Sequence, residues 1–251
     1  MRNELRILKI GGSVITDKTP GVFEKARIDI IERIAEEISI LQENLILVHG
    51  AGSFGHPYVE KFNLRNAKNL KAVIMTHLAC KRLNTIFCDL LFEKGVNVIP
   101  LHPLSCISVN EDVEIDGEFI KSLVDNGIVP VFHGDMVYNR LRDSFEVLSG
   151  DRIVLEIAKI LNIRKIGFAT DTEGLIVNGR VLEKAILNSE LVELVGEADT
   201  KLDVTGGMRG KIESLIQLPE NSEVLIFSGF EKGNILKFLK NEKVGTELKR
   251  G

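Results

Sequence analysis

The segment "LILVHGAGSFGHP", Leu45 to Pro57, decides how the chain is read. It opens as a short apolar strand over Leu45 to Val48 and runs straight into a glycine-rich loop. Gly50, Gly52 and Gly55 satisfy G-x-G-x-x-G, the spacing of a dinucleotide-binding turn. Such a turn follows the first strand of its unit and has an acidic partner about 20 residues on, which binds ribose hydroxyls. Here a strand over Leu5 to Ile10 comes earlier, and no acidic residue occurs from Lys61 to Cys88. The loop is therefore read as a cradle for some other phosphate. A P-loop is missing as well. In "DVTGGMRGKI" (203–212), Gly210-Lys211 are in place, but Thr205 replaces the first glycine and Ile212 the magnesium-binding Ser or Thr.

Working outward, strands and helices alternate. Ile28, Ile31, Ile34, Ile38 and Leu41 recur at three- and four-residue steps, which predicts a helix over 24–43. A second helix covers 68–94, and a third starts just after "SGD" (149–151), marked by Ile153, Ile157, Ile160 and Leu161. A short fourth lies near 231–240. "NVIPL" (97–101), "GIVPVFHGD" (127–135), "KIGFATD" (165–171) and "EVLIFSG" (223–229) read as strands. Asp116-Gly117 and Asn178-Gly179 are hairpin signals. The pattern predicts an α/β chain, a three-layer αβα sandwich with a mostly parallel central sheet and hairpins at its rim. Ligands in such folds sit beyond the carboxyl ends of the strands.

Composition narrows the function. With 251 residues, 44% of them hydrophobic, the chain suits one large α/β domain or two small ones. A net charge of −4 points to neither nucleic acid nor an anionic membrane. Cys80, Cys88 and Cys106 form neither a disulfide framework nor a zinc motif, which fits a reduced, cytoplasmic setting. No apolar run approaches the roughly 20 residues of a membrane span, and the charged start has no signal-type apolar region.

Four segments at strand ends or helix starts combine glycine with lysine or aspartate: "LKIGGSVITDK" (8–18), "HGAGSFGH" (49–56), "LSGDRI" (148–153) and "DVTGGMRGKI" (203–212). Glycines let backbone N–H groups approach an anion, and a helix N-terminus favours negative charge. Lysines around such loops suit phosphoryl transfer, in which catalysis is mostly positioning and charge neutralisation. An aspartate among several lysines holds them in place.

This ordered set resembles the amino acid kinase superfamily, over essentially the whole chain. "HGAGSFGH", ending in His56, and Lys18 in "ITDK" are similar to its isopentenyl phosphate kinase branch. The resemblance implies a single domain, with an acceptor-binding part over about 1–148 and an ATP-binding part over about 149–251. It implies transfer from magnesium ATP to isopentenyl phosphate in an alternative mevalonate route, and a homodimer. It further implies that Lys9 and the loop Gly11-Gly12-Ser13 hold the ATP phosphates and that Lys211 contacts them from the other side. Lys18 would stabilise the transferring group, and Asp151 would orient Lys9 and Lys211. Asp171, with Thr170 and Gly174 nearby, and Gly207 would line the nucleotide site. Ala51, Gly52, Gly150 and His56 would hold the acceptor phosphate, Gly52 reaching ATP as well.

Plainer readings stand beside these. Asp151 also reads as a helix N-cap, Lys18 as a solvated loop lysine, and the glycines as turn formers. His49, His77, His102 and His133 are scattered without metal spacing and read as structural, as do the cysteines. On the helix after the glycine loop, Val73, Ile74, Leu78, Leu83, Ile86 and Phe87 suit either an isoprenoid pocket or the core. Magnesium has no visible carboxylate cluster; phosphate oxygens and water suffice as ligands. Competing functions are a kinase of another phosphate or phosphonate such as fosfomycin, and a non-catalytic nucleotide sensor.

Overall fold

The structure, a computed structural model, describes residues 4–64, 67–198 and 207–250. β1 (Arg6–Ile10) leads through α1 (Gly12–Ile15) to α2 (Ile28–Ser39), β2 (Leu45–His49), a 3₁₀ turn (Gly52–Phe54), α3 (His56–Phe62) and α4 (Leu70–Glu93). Next come β3 (Val98–Pro100), α5 (Pro103–Cys106), β4 (Ser108–Val109), β5 (Val113–Glu114) and α6 (Gly117–Asp125). β6 (Val129–His133), β7 (Asp135–Asn139), β8 (Ser144–Leu148) and α7 (Gly150–Leu161) follow. Then come β9 (Lys165–Thr170), β10 (Ile176–Val177), β11 (Arg180–Val181), β12 (Lys184–Ile186) and α8 (Ser189–Ala198). The last are α9 (Gly207–Leu215), β13 (Glu223–Ser228), α10 (Asn234–Leu239) and β14 (Thr246–Lys249).

The central sheet has eight strands in the order β12-β14-β13-β9-β1-β2-β6-β3. All its neighbouring pairs are parallel except β13–β14. β1, β2 and β6 are buried along their whole length, as strands covered on both faces must be. Strand alternation divides the core in two. Ile7, Ile46, Phe132 and Ile166 pack toward α6, α7, α8 and α9, whereas Leu8, Leu47, Val131 and Leu225 pack toward α2, α4 and α10. Lys9 shares the parity of Ile7, so the strand itself sends its side chain to the α7 and α9 side.

On α2, Ile31, Ile34 and Ile38 form the buried stripe, each wholly removed from water and worth about 1.5–3 kcal/mol. The helix is shorter than its periodicity suggested. Ala26 instead pairs with Thr16 in a β-bridge, and Glu24 adopts φ 51° to donate its N–H to Ser53 O. The Asn178-Gly179 hairpin forms as read, with φ of 51° and 75° at its two turn residues.

The hairpin read at Asp116-Gly117 does not form. Asp116 caps α6, accepting the N–H of Phe119 at 2.9 Å. A side chain on Gly117 would drive into Ile160, its Cβ 2.3 Å from Cγ2, so the glycine lets α6 press on α7. The Asp-Gly pair fits a turn and a helix start equally well. Phe119, Ile120, Leu123 and Val124, at helical spacing, decide between them. A second sheet, β5-β4-β7-β8, contributes residues from β7 and β8 to the cavity described below. Among the described residues, no helix is long and apolar enough to cross a membrane.

Candidate active site

The carboxyl ends of β1, β2, β6 and β9 open onto one cavity of about 480 Å³. Its walls begin as backbone. A Cβ built on Gly12 would fall 2.5 Å from Gly52 N, and one on Gly50 would fall 2.5 Å from Gly12 N. The loops after β1 and β2 therefore pack main chain to main chain, with no room for side chains. Gly52 also has φ +50°, in the left-handed region. Thr16 stitches the two loops together. Its Oγ1 donates to Gly12 O at 2.6 Å and accepts from Ser53 N at 3.0 Å.

Lys9 and Lys211 enter from β1 and α9 and meet on Asp151, in the first turn of α7. Asp151 Oδ1 lies 2.8 Å from Lys9 Nζ and 3.2 Å from Lys211 Nζ. The N-cap is Ser149, whose side chain accepts from Arg152 N at 3.2 Å, so the capping reading of Asp151 is set aside. Both ammonium groups also lie over the Phe168 ring, Lys211 at 4.8 Å and Lys9 at 5.9 Å from its centroid. Burial pulls the Lys9 ammonium down to about 8; Asp151 opposes the fall and Lys211 adds to it. Burial pushes the Asp151 carboxyl up, but the charges of Lys211 and Lys9 outweigh it and hold the group well below the usual carboxylate range. One carboxylate between two ammoniums leaves a net positive charge, which suits an incoming polyphosphate.

The segment carrying Lys18 is pinned over the cavity. Lys25 N donates to Ser53 Oγ at 3.2 Å. Glu24 accepts two bonds from Arg82 at 2.7 Å and one from Tyr58 at 2.5 Å. Three glycine-bearing turns meet at the cavity wall. A Cβ on Gly134 would lie 3.4 Å from Gly150 N and 3.5 Å from Ala51 N.

Lys9, Gly11, Gly12, Ser13, Asp171 and Lys211 line the cavity. Lys18, Ala51, Gly52, His56, Gly150 and Asp151 line it too. Thr170 is on the wall, but Gly174 is not: it packs on β14, where a Cβ would meet Thr246 Oγ1 at 2.5 Å. Gly207 opens α9; its surroundings, and residues 203–206 of its motif, lie outside the described residues. Sequence reasoning missed Gly134, just after β6, and Met136 and Val147, which the second sheet brings in. It also missed the face that α4 offers the cavity, which is Thr76 and Cys80. Of the apolar candidates on α4, Val73, Leu83 and Phe87 are core, while Ile74 and Leu78 are exposed. The signal was there as an i, i+4 pair, hidden because neither residue is strongly apolar. His49, His77, His102 and His133, scattered in sequence, are neighbours in space. Among the described residues, no group of three or more His, Cys, Asp or Glu is placed to hold a metal ion.

The model of the amino acid kinase family matches residues 4–228. The chain is 31% identical to the isopentenyl phosphate kinase of Methanocaldococcus jannaschii, covering 97% of this chain and 98% of that one. It is 33% identical to the isopentenyl phosphate kinase of Methanothermobacter thermautotrophicus, covering 96% and 98%. A crystal structure of isopentenyl phosphate kinase superposes with a TM-score of 0.81 at 29% identity, covering 98% of this chain and 100% of the other. A family model that spans most of the chain leaves one conclusion: the chain belongs to the amino acid kinase family.

Proposed function

We propose that the protein transfers the γ-phosphoryl group of ATP to the phosphate of isopentenyl phosphate, giving ADP and isopentenyl diphosphate. The observation that carries this reading is the single cavity lined both by the Lys9–Asp151–Lys211 cluster and by His56, Ala51, Gly134 and Gly150. Full-length similarity to isopentenyl phosphate kinases supports the choice of acceptor.

A phosphate monoester has a second pKa near 6 and is mostly a dianion at neutral pH, so its oxygen attacks without a general base. The protein's task is to bring two anions together. Lys9 and Lys211 neutralise the donor phosphates, Lys18 stabilises charge on the group in transit, and Asp151 fixes the spacing of the two ammoniums. The loop Gly11-Gly12-Ser13 and Gly52 offer backbone N–H groups, and Thr170, Asp171 and Gly207 belong to the nucleotide end. His56 and the N–H groups of Ala51, Gly52 and Gly150 align the acceptor. His56 binds; it does not abstract a proton.

Magnesium enters with ATP. Asp151 is taken up by two lysines, so the residues present fit an ion held mainly by phosphate oxygens and water. Bound there, it would neutralise charge on the donor phosphates. We assign the acceptor to the part built from about 1–148 and ATP to that from about 149–251, in a cytoplasmic homodimer. The test is ADP release with magnesium ATP against isopentenyl phosphate, dimethylallyl phosphate, fosfomycin, UMP and acetylglutamate. Turnover confined to isoprenoid phosphates is expected. Turnover on fosfomycin, UMP or acetylglutamate alone would overturn the acceptor, and silence across the panel would overturn catalysis.

A further inference from the structure

Two neighbouring parallel strands end in the same dipeptide. β2 closes on His49-Gly50 and β6 on His133-Gly134, with His49 and His133 in register and their rings stacked 5.5 Å apart. Each ring turns back to the carbonyl of the glycine that follows it: His49 Nδ1 lies 3.0 Å from Gly50 O, and His133 Nδ1 lies 3.1 Å from Gly134 O. A carbonyl oxygen only accepts, so Nδ1 carries the proton in both rings. The other nitrogen of each is then an acceptor, and each has a donor. Asn84 Nδ2 lies 3.0 Å from His49 Nε2, and His102 Nδ1 lies 3.0 Å from His133 Nε2. Both rings are fully buried, which holds them neutral; the His49 imidazole is pulled down to about 4. Their tautomers are thus fixed by geometry.

We propose that His49 is a positioning residue for the acceptor phosphate, holding the Gly50–Ala51 peptide so that the Ala51 N–H faces the cleft. Among the described residues there is no cis peptide bond, and in a trans peptide the C=O and N–H of one unit point in opposite directions. With Gly50 C=O drawn inward to a buried ring, Ala51 N–H is turned outward, toward the cavity that Ala51 lines. It makes no hydrogen bond to any described residue. Gly134, held the same way by His133, lies directly against it and against Gly150 N. A flip of the Gly50–Ala51 peptide would bury this N–H and present a carbonyl oxygen to an anion. The ring blocks that flip.

The inference rests on the acceptor phosphate lying at this loop, and its test is separable from that reading. His49→Leu fills the volume without a donor; His49→Asn returns an N–H to the place of Nδ1. His49→Leu should raise the KM for isopentenyl phosphate by about tenfold and leave the KM for ATP unchanged, and His49→Asn should recover most of the loss. A folded His49→Leu enzyme with the native acceptor KM overturns the proposal. Nitrogen-15 spectra of the unaltered protein give a second readout that needs no variant. A neutral Nδ1–H ring at His49, with an Ala51 amide that shifts when isopentenyl phosphate is added without nucleotide, supports the proposal. An Nε2–H ring at His49, or an unmoved Ala51 amide in a protein that turns this acceptor over, overturns it. If the protein turns over a different phosphate, the same spectra taken with that phosphate decide the role of His49 independently of the acceptor's identity.

Discussion

Lys9 and Lys211, from opposite ends of the chain, share a single oxygen atom: Asp151 Oδ1 accepts from the first at 2.8 Å and from the second at 3.2 Å. Neither lysine can shift without altering the hold on the other, so the carboxylate works as a spacer between two cations. Asp151→Asn keeps the shape and removes the charge that keeps them together. It should lower kcat by roughly 100-fold with every acceptor while moving the acceptor KM little. Steady-state kinetics with a kcat near that of the unaltered enzyme would remove Asp151 from this role.

The buried Lys9 ammonium sets an alkaline limit. Its pKa falls from an ordinary 10.5 to about 8, so in the free enzyme the charge we assign to ATP binding is lost as pH rises through about 8. kcat/KM for ATP should decline there, and Lys9→Arg, charged throughout, should lose that inflection. The linked stability term has the opposite sense. Between about 8 and 10.5 the unfolded chain holds a proton that the folded one has released, so the contribution of Lys9 to stability improves with pH across that window.

His56 stands at the start of α3 on the cavity wall. His56→Ala should raise the acceptor KM by roughly 10- to 100-fold, the value of a hydrogen bond to a charged group, and leave ATP affinity unaltered. Isothermal titration with a non-hydrolysable ATP analogue checks the second half. Loss of nucleotide affinity with normal acceptor kinetics would place His56 at the wrong substrate.

Main-chain packing at the glycine loops allows a sharper prediction. A methyl group on Gly12 would sit 2.5 Å from Gly52 N and 2.8 Å from its Cα, and backbone cannot retreat as a side chain tip can. Gly12→Ala should cost about 1–3 kcal/mol of stability and abolish turnover. Gly134→Ala, whose nearest contacts are 3.4 Å and longer, should fold normally. Thermal melts of the two variants, side by side, distinguish a packed cradle from a merely flexible turn.

Asp116 allows a test away from the site. As the cap of α6 it should contribute about 1 kcal/mol, lost in Asp116→Ala and largely kept in Asp116→Ser. Equal melting points for all three proteins would contradict the capping geometry.

What was legible in the sequence follows from the range of the forces involved. The central strands announce themselves as unbroken apolar runs, and glycine, lysine and aspartate just beyond their ends mark the site because the chemistry needs those atoms there. The β7–β8 hairpin was invisible. Its turn is Arg140-Leu141-Arg142-Asp143, with no glycine, and Asp143 takes the left-handed conformation at φ 46° with the Tyr138 hydroxyl donating to its carboxylate. That hairpin carries Met136 and Val147 to the cavity, so these two lining residues stayed hidden with it. The histidines were equally hidden, since only the register of β2 against β6 brings His49 beside His133.

Strand order also bears on how the protein is made. β1, synthesised first among the strands, lies in the interior of the sheet between β9 and β2, and β12 joins the sheet only through β14. While a ribosome is still adding residues 187–245, β12 has no partner to pair with, and the central strand waits more than 150 residues for β9. Such distant pairings make folding slow and leave strand edges open during translation. The nascent chain is therefore expected to need chaperone cover until β14 emerges, and truncation before Thr246 should leave it prone to aggregate.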